Sequence, residues 1–386
     1  MTTRTDRASL DWGGLIASIA AISVAAAAFG HSLPLFSILL KTYGAADWEI
    51  GLNTGANAVG AVIVTPFFPK LIYRFGLRNF LYGCIGLMVA TYFAIYLTGG
   101  AYNWWYPLRF VFGLAGAGLF VASEMWINTL APDHLRGRIL GIYGTSLAAG
   151  FALGPWLIDL FGYSGIAPFL AGMAVFSLAA LPLIFVPAPK ADPPDEAQGF
   201  FRLIRRAPAT FSAAAMFAGL EAAVLIFLPV LAIDKAWSPE VGARAISVYG
   251  MGILALQYAI GHLTDTVGQR PMMMVCAVGA TLGALAFVLI DERVMTLYAV
   301  LFIWGGLIGG LYTVGLTIVG QAYDESRRAA ANTAYVFMYG VGAIVGPVSA
   351  GIVRDLAGPD GLNTLLLIAL VSYVVLLVCR RRAAIP

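Results

Sequence analysis

Charged residues are scarce in this chain of 386 residues, because Asp, Glu, Lys and Arg together make up 11% of it. A soluble globular chain has about 25% charged residues and about 45–50% apolar ones. Hydrophobic residues here reach 60%. This balance excludes an ordinary soluble enzyme and a nucleic-acid-binding protein. It also excludes a disordered chain, which needs low hydrophobicity and high charge.

Cysteine is also scarce, with three residues in the chain. Three cysteines are too few for a disulfide framework, and Cys84, Cys276 and Cys379 lie within or at the end of apolar runs. The sequence contains no P-loop, no G-x-S-x-G and no H-E-x-x-H motif. We therefore expect no catalytic residues, no metal site and no cofactor, and we expect no ATP-driven pump.

Long uncharged segments are abundant. A membrane-spanning helix needs about 20 apolar residues, and a helix satisfies all of its backbone polar groups within the lipid. We predict twelve such helices, which lie at 12–40, 50–69, 79–108, 110–132, 139–158, 160–189, 207–233, 245–264, 271–290, 294–323, 329–353 and 361–379.

Lysine and arginine are unevenly distributed between the two ends of these helices. Of the 23 residues, seventeen lie on the side of the two termini and six on the other side. Because cytoplasmic loops are enriched in Lys and Arg, we expect both termini in the cytoplasm. The expected location is the inner (plasma) membrane, with the chain crossing it many times.

The sequence repeats itself at an offset of 192 residues, the distance from 154 to 346. Several unrelated matches at one offset are hard to obtain by chance, and an internal repeat indicates duplicated structural units. The matches include Gly154-Pro155 with Gly346-Pro347, Gly76-Leu77-Arg78 with Gly268-Gln269-Arg270, and Gly113 with Gly305.

A polar, proline-rich segment at 190–206 lies between the repeats. We therefore predict an all-α integral membrane protein with two pseudo-symmetric six-helix halves. The N-terminal half is 1–189, the cytoplasmic linker is 190–206 and the C-terminal half is 207–386. Two parallel six-helix repeats of this kind resemble the major facilitator architecture.

The loop from Gly261 to Arg270 resembles the major facilitator signature G-x-L-x-D-x-x-G-[RQ]-R at nearly every position. The resemblance implies an inner gate in which Asp265 pairs with Arg270. The first-half copy keeps Arg74 and Arg78 but lacks the acid. The inner-gate acid is therefore expected only in the second half.

The two Gly-x3-Gly-Pro runs, which end at Pro155 and Pro347, resemble a motif of proton-coupled drug antiporters. We expect Gly154, Pro155, Gly346 and Pro347 to take part in gating. Close packing is the alternative interpretation, because small residues four positions apart let two helices approach each other.

Arg109 and Gly113 resemble the R-x3-G signature of the fourth facilitator helix. Together with Glu124-x-Trp126, they resemble the YcaD-like branch of drug- and metabolite-type facilitators. Fifteen residues of helix separate Arg109 from Glu124 by about 22 Å, so the two side chains cannot pair. We expect Arg109 near the outer face. Glu124 is expected in the inner half, either as a second proton or cation site or as a packing partner.

Glu221 is expected near the middle of the seventh helix, about 20 Å from its start. An ionisable group inside the membrane is costly and is a functional candidate by default, although a carboxyl group hydrogen-bonded within the helix packing is the alternative. Facilitator substrates and coupling ions bind near the midplane. We therefore predict proton coupling through Glu221, with Glu124 and Arg109 contributing.

Polar and aromatic residues at middle depth form the expected substrate site. An aromatic cavity with one or two carboxylates suits an amphipathic or cationic organic substrate, and a histidine can titrate near neutral pH. For each residue, ordinary packing is the alternative interpretation. The candidates are His31, Asn57, Glu221, Tyr249, Gln257, Trp304, Tyr312 and Tyr339.

Together these features predict a secondary transporter that moves a small organic solute by alternating access. Proton-coupled export by antiport is the first interpretation, and proton symport or uniport of a polar metabolite is the second. A membrane sensor on the same scaffold is an alternative of another class. The expected partners are the small-molecule substrate, protons and the lipid bilayer. We expect no nucleic-acid partner and a monomeric protein.

Overall fold

The computed structural model describes residues 11–132, 135–187, 189, 200–289, 293–323 and 325–379, without the side chains at 136–137, 200–201, 288–289 and 325–330. Twelve helices of this described part are long and apolar enough to cross a membrane. They confirm the predicted all-α membrane fold and its number of spans.

The twelve spans follow one another along the chain without intervening strands in the described residues. They are α1 (Trp12–Thr42), α2 (Asp47–Phe75), α3 (Leu77–Thr98), α4 (Tyr102–Leu130), α5 (Arg136–Leu153 with the turn Trp156–Phe161), α6 (Ala167–Ile184), α7 (Pro208–Asp234), α8 (Pro239–Val267), α9 (Gln269–Leu289), α10 (Val294–Ala322), α11 (Glu325–Ala357) and α12 (Gly361–Cys379). We call the face where α1 begins and α12 ends the termini side, and the opposite face the far side.

Prolines shape the two helices that carry the Gly-x3-Gly-Pro runs in different ways. Proline removes a backbone N–H and clashes with the preceding turn. In α5 the helix ends at Leu153 and resumes at Trp156. Gly154-Pro155 therefore separates the main part of the helix from a short helical segment on the far side. In α11 the helix continues through Pro347 without interruption.

The predicted boundary between the third and fourth helices, at 108–110, is wrong. The third helix ends at Thr98 and the fourth begins at Tyr102. Gly99 has φ +48°, a left-handed conformation that glycine adopts without steric cost, and it ends the helix. Arg109 therefore lies two turns inside α4 rather than at the start of the helix.

The repeated glycines place the same pairs of helices in contact in each half. A Cβ atom at Gly154 would overlap the carbonyl oxygen of Ala27 in α1, and a Cβ atom at Gly346 would overlap that of Gly219 in α7. These partners are themselves 192 residues apart. The same register relates two further contacts, Gly113 with Asn57 and Gly305 with Tyr249. The sequence repeat is therefore also a repeat of packing.

The two halves contact each other mainly through α2 with α11, α5 with α8, and α1 with α7. Residues 190–199 of the predicted linker lie outside the described residues, and Phe200–Arg206 forms a short helix. Leu203 of this helix belongs to a buried apolar cluster that includes Phe211 and Tyr335. The predicted limits of the halves and of the linker stay predictions.

Candidate functional site

Glu221 is the central residue of α7, thirteen residues from Pro208 and thirteen from Asp234. Its side chain is half-buried, and the Tyr339 hydroxyl donates a hydrogen bond of 3.5 Å to Oε2. No ion pair among the described side chains includes Glu221. Transfer out of water disfavours the charged form of a carboxyl group. A carboxylate without a cationic partner at this depth can therefore gain from a bound proton or cation.

Tyrosines from three other helices surround this carboxylate. The ring of Tyr312 in α10 lies 5.9 Å from that of Tyr339 in α11. Tyr249 in α8 is buried, and its hydroxyl has no hydrogen-bond partner in the described structure. It interacts electrostatically with Glu221 and Tyr339. This hydroxyl is therefore free to bond a ligand placed beside the carboxylate.

Glu124 is the second carboxylate of the site and belongs to the N-terminal half. Its side chain is exposed and accepts a hydrogen bond of 3.4 Å from the Tyr143 hydroxyl. Tyr312, in the other half, interacts electrostatically with both Glu124 and Glu221. Glu124 is therefore close enough to the C-terminal half to interact with Tyr312.

An aromatic group in the N-terminal half includes Phe120, which lies one helical turn from Glu124 in α4. The Phe120 and Phe151 rings are stacked with 6.2 Å between their centroids, and Phe29 lies 5.5 Å from Phe120. The N-terminal wall therefore combines stacked phenyl rings with the Glu124 carboxylate, and the C-terminal wall combines the Glu221 carboxylate with tyrosine hydroxyl groups.

Two predicted substrate ligands make contacts inside their own halves. His31 is fully buried, and its Nε2 lies 2.9 Å from the carbonyl oxygen of Pro168 in α6. Trp304 is also buried and donates through Nε1 to the Ala280 carbonyl of α9 over 2.8 Å. These hydrogen bonds hold neighbouring helices together, and neither joins Glu221. A role in substrate binding stays a prediction for both residues.

Asn57 and Gln257 occupy helices next to the site. Asn57 Oδ1 is buried without a hydrogen-bond partner in the described structure. Gln257 Oε1 accepts a hydrogen bond from the hydroxyl of Thr313. The free Oδ1 of Asn57 can therefore accept a hydrogen bond from a polar group on a ligand.

Arg109 is buried, and its guanidinium lies over two phenyl rings, 5.0 Å from the centroid of Phe36 and 5.4 Å from that of Phe112. None of the ion pairs of the described residues includes it. As its position in α4 requires, Arg109 is remote from Glu124. The arrangement is a cation–π contact within the N-terminal half, and a part in proton coupling stays a prediction.

The predicted inner-gate residues are not paired in this conformation. Asp265 and Arg270 are both exposed, and no ion pair joins them among the described residues. Arg74 is exposed, and Arg78 donates to the carbonyl of Val186. The expected Asp265–Arg270 pair is therefore not formed, and exposed pairs gain little because water screens them.

A cluster of ion pairs that the sequence did not reveal lies at the opposite end. Arg354 is almost fully buried, bonds Asp47 Oδ2 at 2.9 Å and also pairs with Asp234. Lys41 Nζ lies 3.0 Å from Asp47 and 3.5 Å from Asp234. We call these four residues the far-side lock. The lock joins both halves, since Lys41 and Asp47 precede the linker and the other two follow it.

Two further contacts close the same face. Arg244 Nη2 lies 2.9 Å from Asp159 Oδ1, and Asp355 accepts hydrogen bonds from the backbone N–H groups of Asp47 and Trp48 at 3.1 and 2.8 Å. All ion pairs between described side chains of the two halves lie at this end. The only sequence signal was the presence of Lys41, Arg244 and Arg354 on the side that is otherwise poor in basic residues.

Comparison with known proteins agrees with this architecture. The family model for the Major Facilitator Superfamily matches residues 18–245 and 210–384. The MFS-type transporter YfkF of Bacillus subtilis (strain 168) is 24% identical over 339 residues, which cover 86% of each chain. The MFS-type transporter YcaD of Salmonella enteritidis PT4 (strain P125109) is 24% identical over 387 residues, or 96% of this chain and 95% of that protein.

Solved structures share the fold at lower identity. The crystal structure of the nucleoside transporter NupG superposes with a TM-score of 0.78 at 16% identity, covering 96% of this chain and 98% of the other. That of a D-xylose-proton symporter has a TM-score of 0.73 at 13% identity, covering 93% and 96%. The chain therefore belongs to the major facilitator superfamily, resembles its YcaD-type members and is a membrane transporter rather than an enzyme.

Proposed function

We propose that this transporter is a proton-coupled antiporter that exports a small amphipathic organic cation, and that Glu221 binds the proton and the substrate in turn. The observation that carries the proposal is the half-buried carboxylate at the centre of α7, which has no cationic partner among the described residues. One carboxylate cannot hold a proton and a cation together. Competition between the two ligands for it produces exchange, because each ligand shifts the population of states that bind the other.

The surroundings of Glu221 favour a substrate with an apolar or aromatic part. Phe217 and Tyr312, whose centroids are 5.2 Å apart, lie beside the carboxylate on the C-terminal wall, and the stacked Phe120 and Phe151 belong to the other wall. Aromatic faces attract organic cations, and the attraction is stronger where water is excluded.

Proton symport of a polar metabolite is the second candidate. The unpartnered Asn57 Oδ1 favours it, since buried amide groups recognise hydroxyl-bearing or amide-bearing solutes. A symporter and an antiporter of this fold differ in the direction in which protons move with the substrate, and the experiment below separates them.

We also propose that the termini side faces the cytoplasm of the inner (plasma) membrane. The excess of Lys and Arg on that side supports this orientation, because cytoplasmic loops are enriched in these residues. Cys379 is exposed at the end of α12. We expect a membrane-impermeant maleimide to label it only after the cells are permeabilised, and labelling in intact cells would reverse the orientation.

Alternating access would rock the two halves about Glu221. We propose that the site opens toward the termini side while the far-side lock is formed. We propose that Asp265 and Arg270, together with Arg74 and Arg78, close that side in the opposite state.

Transport by the purified protein in liposomes tests the function. A pH-sensitive dye inside the vesicles would report proton flux while sugars, amino acids, organic acids and lipophilic cations are added in turn. We expect a cation to drive proton movement in the opposite direction. Proton flux in the same direction as a polar metabolite would replace antiport by symport.

Glu221→Gln tests the assigned residue, because the amide keeps the shape of the carboxyl group and removes its titration. We expect this variant to lose substrate-dependent proton flux and uphill transport while it elutes as the same monodisperse species as the wild type. Asp360→Asn, in an exposed loop of the same half, is the matched control and should transport normally. Uphill transport by Glu221→Gln would show that the coupling residue is another one.

A further inference from the structure

The two carboxylates of the site lie at different depths in the membrane. Glu124 is six residues from the termini-side end of α4 at Leu130, and Glu221 is thirteen residues from the termini-side end of α7 at Pro208. At 1.5 Å per residue these depths are about 9 Å and about 20 Å. The carboxylates are therefore separated by about 10 Å along the membrane normal.

Aromatic rings occupy the level between them. Phe120 lies one helical turn from Glu124, and Phe217 lies one turn from Glu221, so each ring shares a helix face with its carboxylate. Both rings lie about 14–15 Å from the termini-side ends of their helices. Tyr312 is ten residues from the end of α10 at Ala322, which places it at the same level. It interacts electrostatically with the carboxylate on either side.

The two negative charges have no positive counterpart among the described side chains. The ion pairs of the described residues include neither Glu124 nor Glu221, and Arg109 is stacked on Phe36 and Phe112. The buried Tyr249 hydroxyl, which interacts electrostatically with Glu221, has no hydrogen-bond partner in the described structure and can bond a polar group of a ligand at this end. Uncompensated charges are costly where water is scarce.

We propose that the substrate is an elongated dication, with two positively charged nitrogen groups at least about 10 Å apart joined by an apolar segment. One group binds at Glu124 and Tyr143, the other at Glu221 and Tyr339, and the apolar segment packs on Phe120 and Phe217. This proposal rests on the proposed function in that it takes Glu221 as a substrate site. It adds Glu124 as the second anchor and sets the length of the substrate.

A set of permanently charged probes tests the charge and the spacing in the wild-type protein. The probes are octane with a trimethylammonium group at each end, butane with the same two groups, and octyltrimethylammonium with one group. Quaternary amines do not carry protons, so the dye inside the liposomes reports only the exchange by the protein. We expect the long dication to have a KM at least about tenfold lower than either of the other probes, as one additional desolvated ion pair predicts.

Glu124→Gln tests the second anchor. We expect it to remove the preference for the long dication, so that in this variant the long dication and octyltrimethylammonium have similar KM values. Glu221→Gln should lose transport of both probes, and Asp360→Asn should resemble the wild type. An unchanged preference for the long dication in Glu124→Gln would overturn the proposal, as would equal KM values for all three probes in the wild type. The wild-type series keeps the test valid if a variant does not fold.

The outcomes also separate this inference from the proposed function. Preferred transport of the long dication without proton flux would support the two anchors and reject proton coupling. Proton-coupled transport of singly charged or neutral solutes, with no preference for the long dication, would leave the coupling intact and reject the dication.

Discussion

Glu221 in α7 occupies the position that Phe29 occupies in α1. The packing fixes this equivalence, because Gly346 contacts α7 at Gly219 and Gly154 contacts α1 at Ala27, each two residues before the position in question. A hydrocarbon ring in one half thus corresponds to a carboxyl group in the other. The two halves share a mechanical design, and they differ in chemistry at the level where a solute would bind.

Breaking the far-side lock should open the far face. In Asp47→Asn the buried Arg354 loses a charged partner. We expect the population of far-side-open molecules to rise by about tenfold or more, because the closed state loses the free energy of one hydrogen bond to a charged group. Spin labels at Thr42 and Asp360, both exposed on the far side, would report the distance between the halves after replacement of the exposed Cys379.

Asp159→Asn is the comparison for that variant. It also removes an ion pair between the halves, but Arg244 is half-exposed, at 48% of its side chain, and such a pair contributes little. We expect little change in the distance distribution. An equal or larger opening in Asp159→Asn would show that the lock does not hold the far side closed.

Helix approach at the repeated glycines should be sensitive to a single methyl group. In Gly154→Ala the new Cβ atom would overlap the Ala27 carbonyl, and we expect a loss of about 1–3 kcal/mol in stability, as for other overpacked contacts. Gly144, in the same helix, has open space at this position. Gly144→Ala should be neutral or stabilising by up to about 1 kcal/mol, because alanine favours helix. Thermal unfolding in detergent measures both, and similar Tm values for the two variants would contradict the packing.

The Tyr339 hydroxyl should contribute to substrate affinity through Glu221. In Tyr339→Phe the carboxylate loses its described hydrogen-bond donor. We expect KM to rise by about tenfold, which corresponds to the lower end of the free-energy range for a hydrogen bond to a charged group. Tyr335→Phe, one turn away in α11, removes a hydroxyl that donates to the Tyr312 carbonyl. This control should lose stability and keep its KM. A change of KM in the control but not in Tyr339→Phe would assign the hydroxyls the opposite roles.

The membrane fold was predictable because its signals are linear along the chain. Apolar length marks each span, and the offset of 192 relates positions by counting alone. The predicted start of the seventh helix at 207 and the observed one at Pro208 agree within one residue, which is why Glu221 lies at the centre of its helix as expected. The predicted position of the boundary between α3 and α4 was wrong because the uncharged residues on both sides of Gly99 form one continuous run, which conceals the end of the helix.

The orientation of side chains was not predictable, because apolar spans in a membrane show little difference between their faces. His31 and Trp304 are at suitable depths, yet their hydrogen bonds point to α6 and α9. The far-side lock depends on partners that are 307 positions apart, Asp47 and Arg354. Such a pair becomes evident only when α2 and α11 are placed side by side.

The unbroken course of α11 has a mechanical consequence. Tyr339 beside Glu221 and Arg354 in the lock are fifteen residues apart on one continuous helix, so they lie at the two ends of a helical segment about 22 Å long. A tilt of about 5° around Tyr339 displaces the guanidinium by about 2 Å, which is enough to break its hydrogen bonds. Under the proposed alternating access, a small adjustment of Tyr339 to a bound ligand would therefore be amplified at the far face into the release of the opposite half.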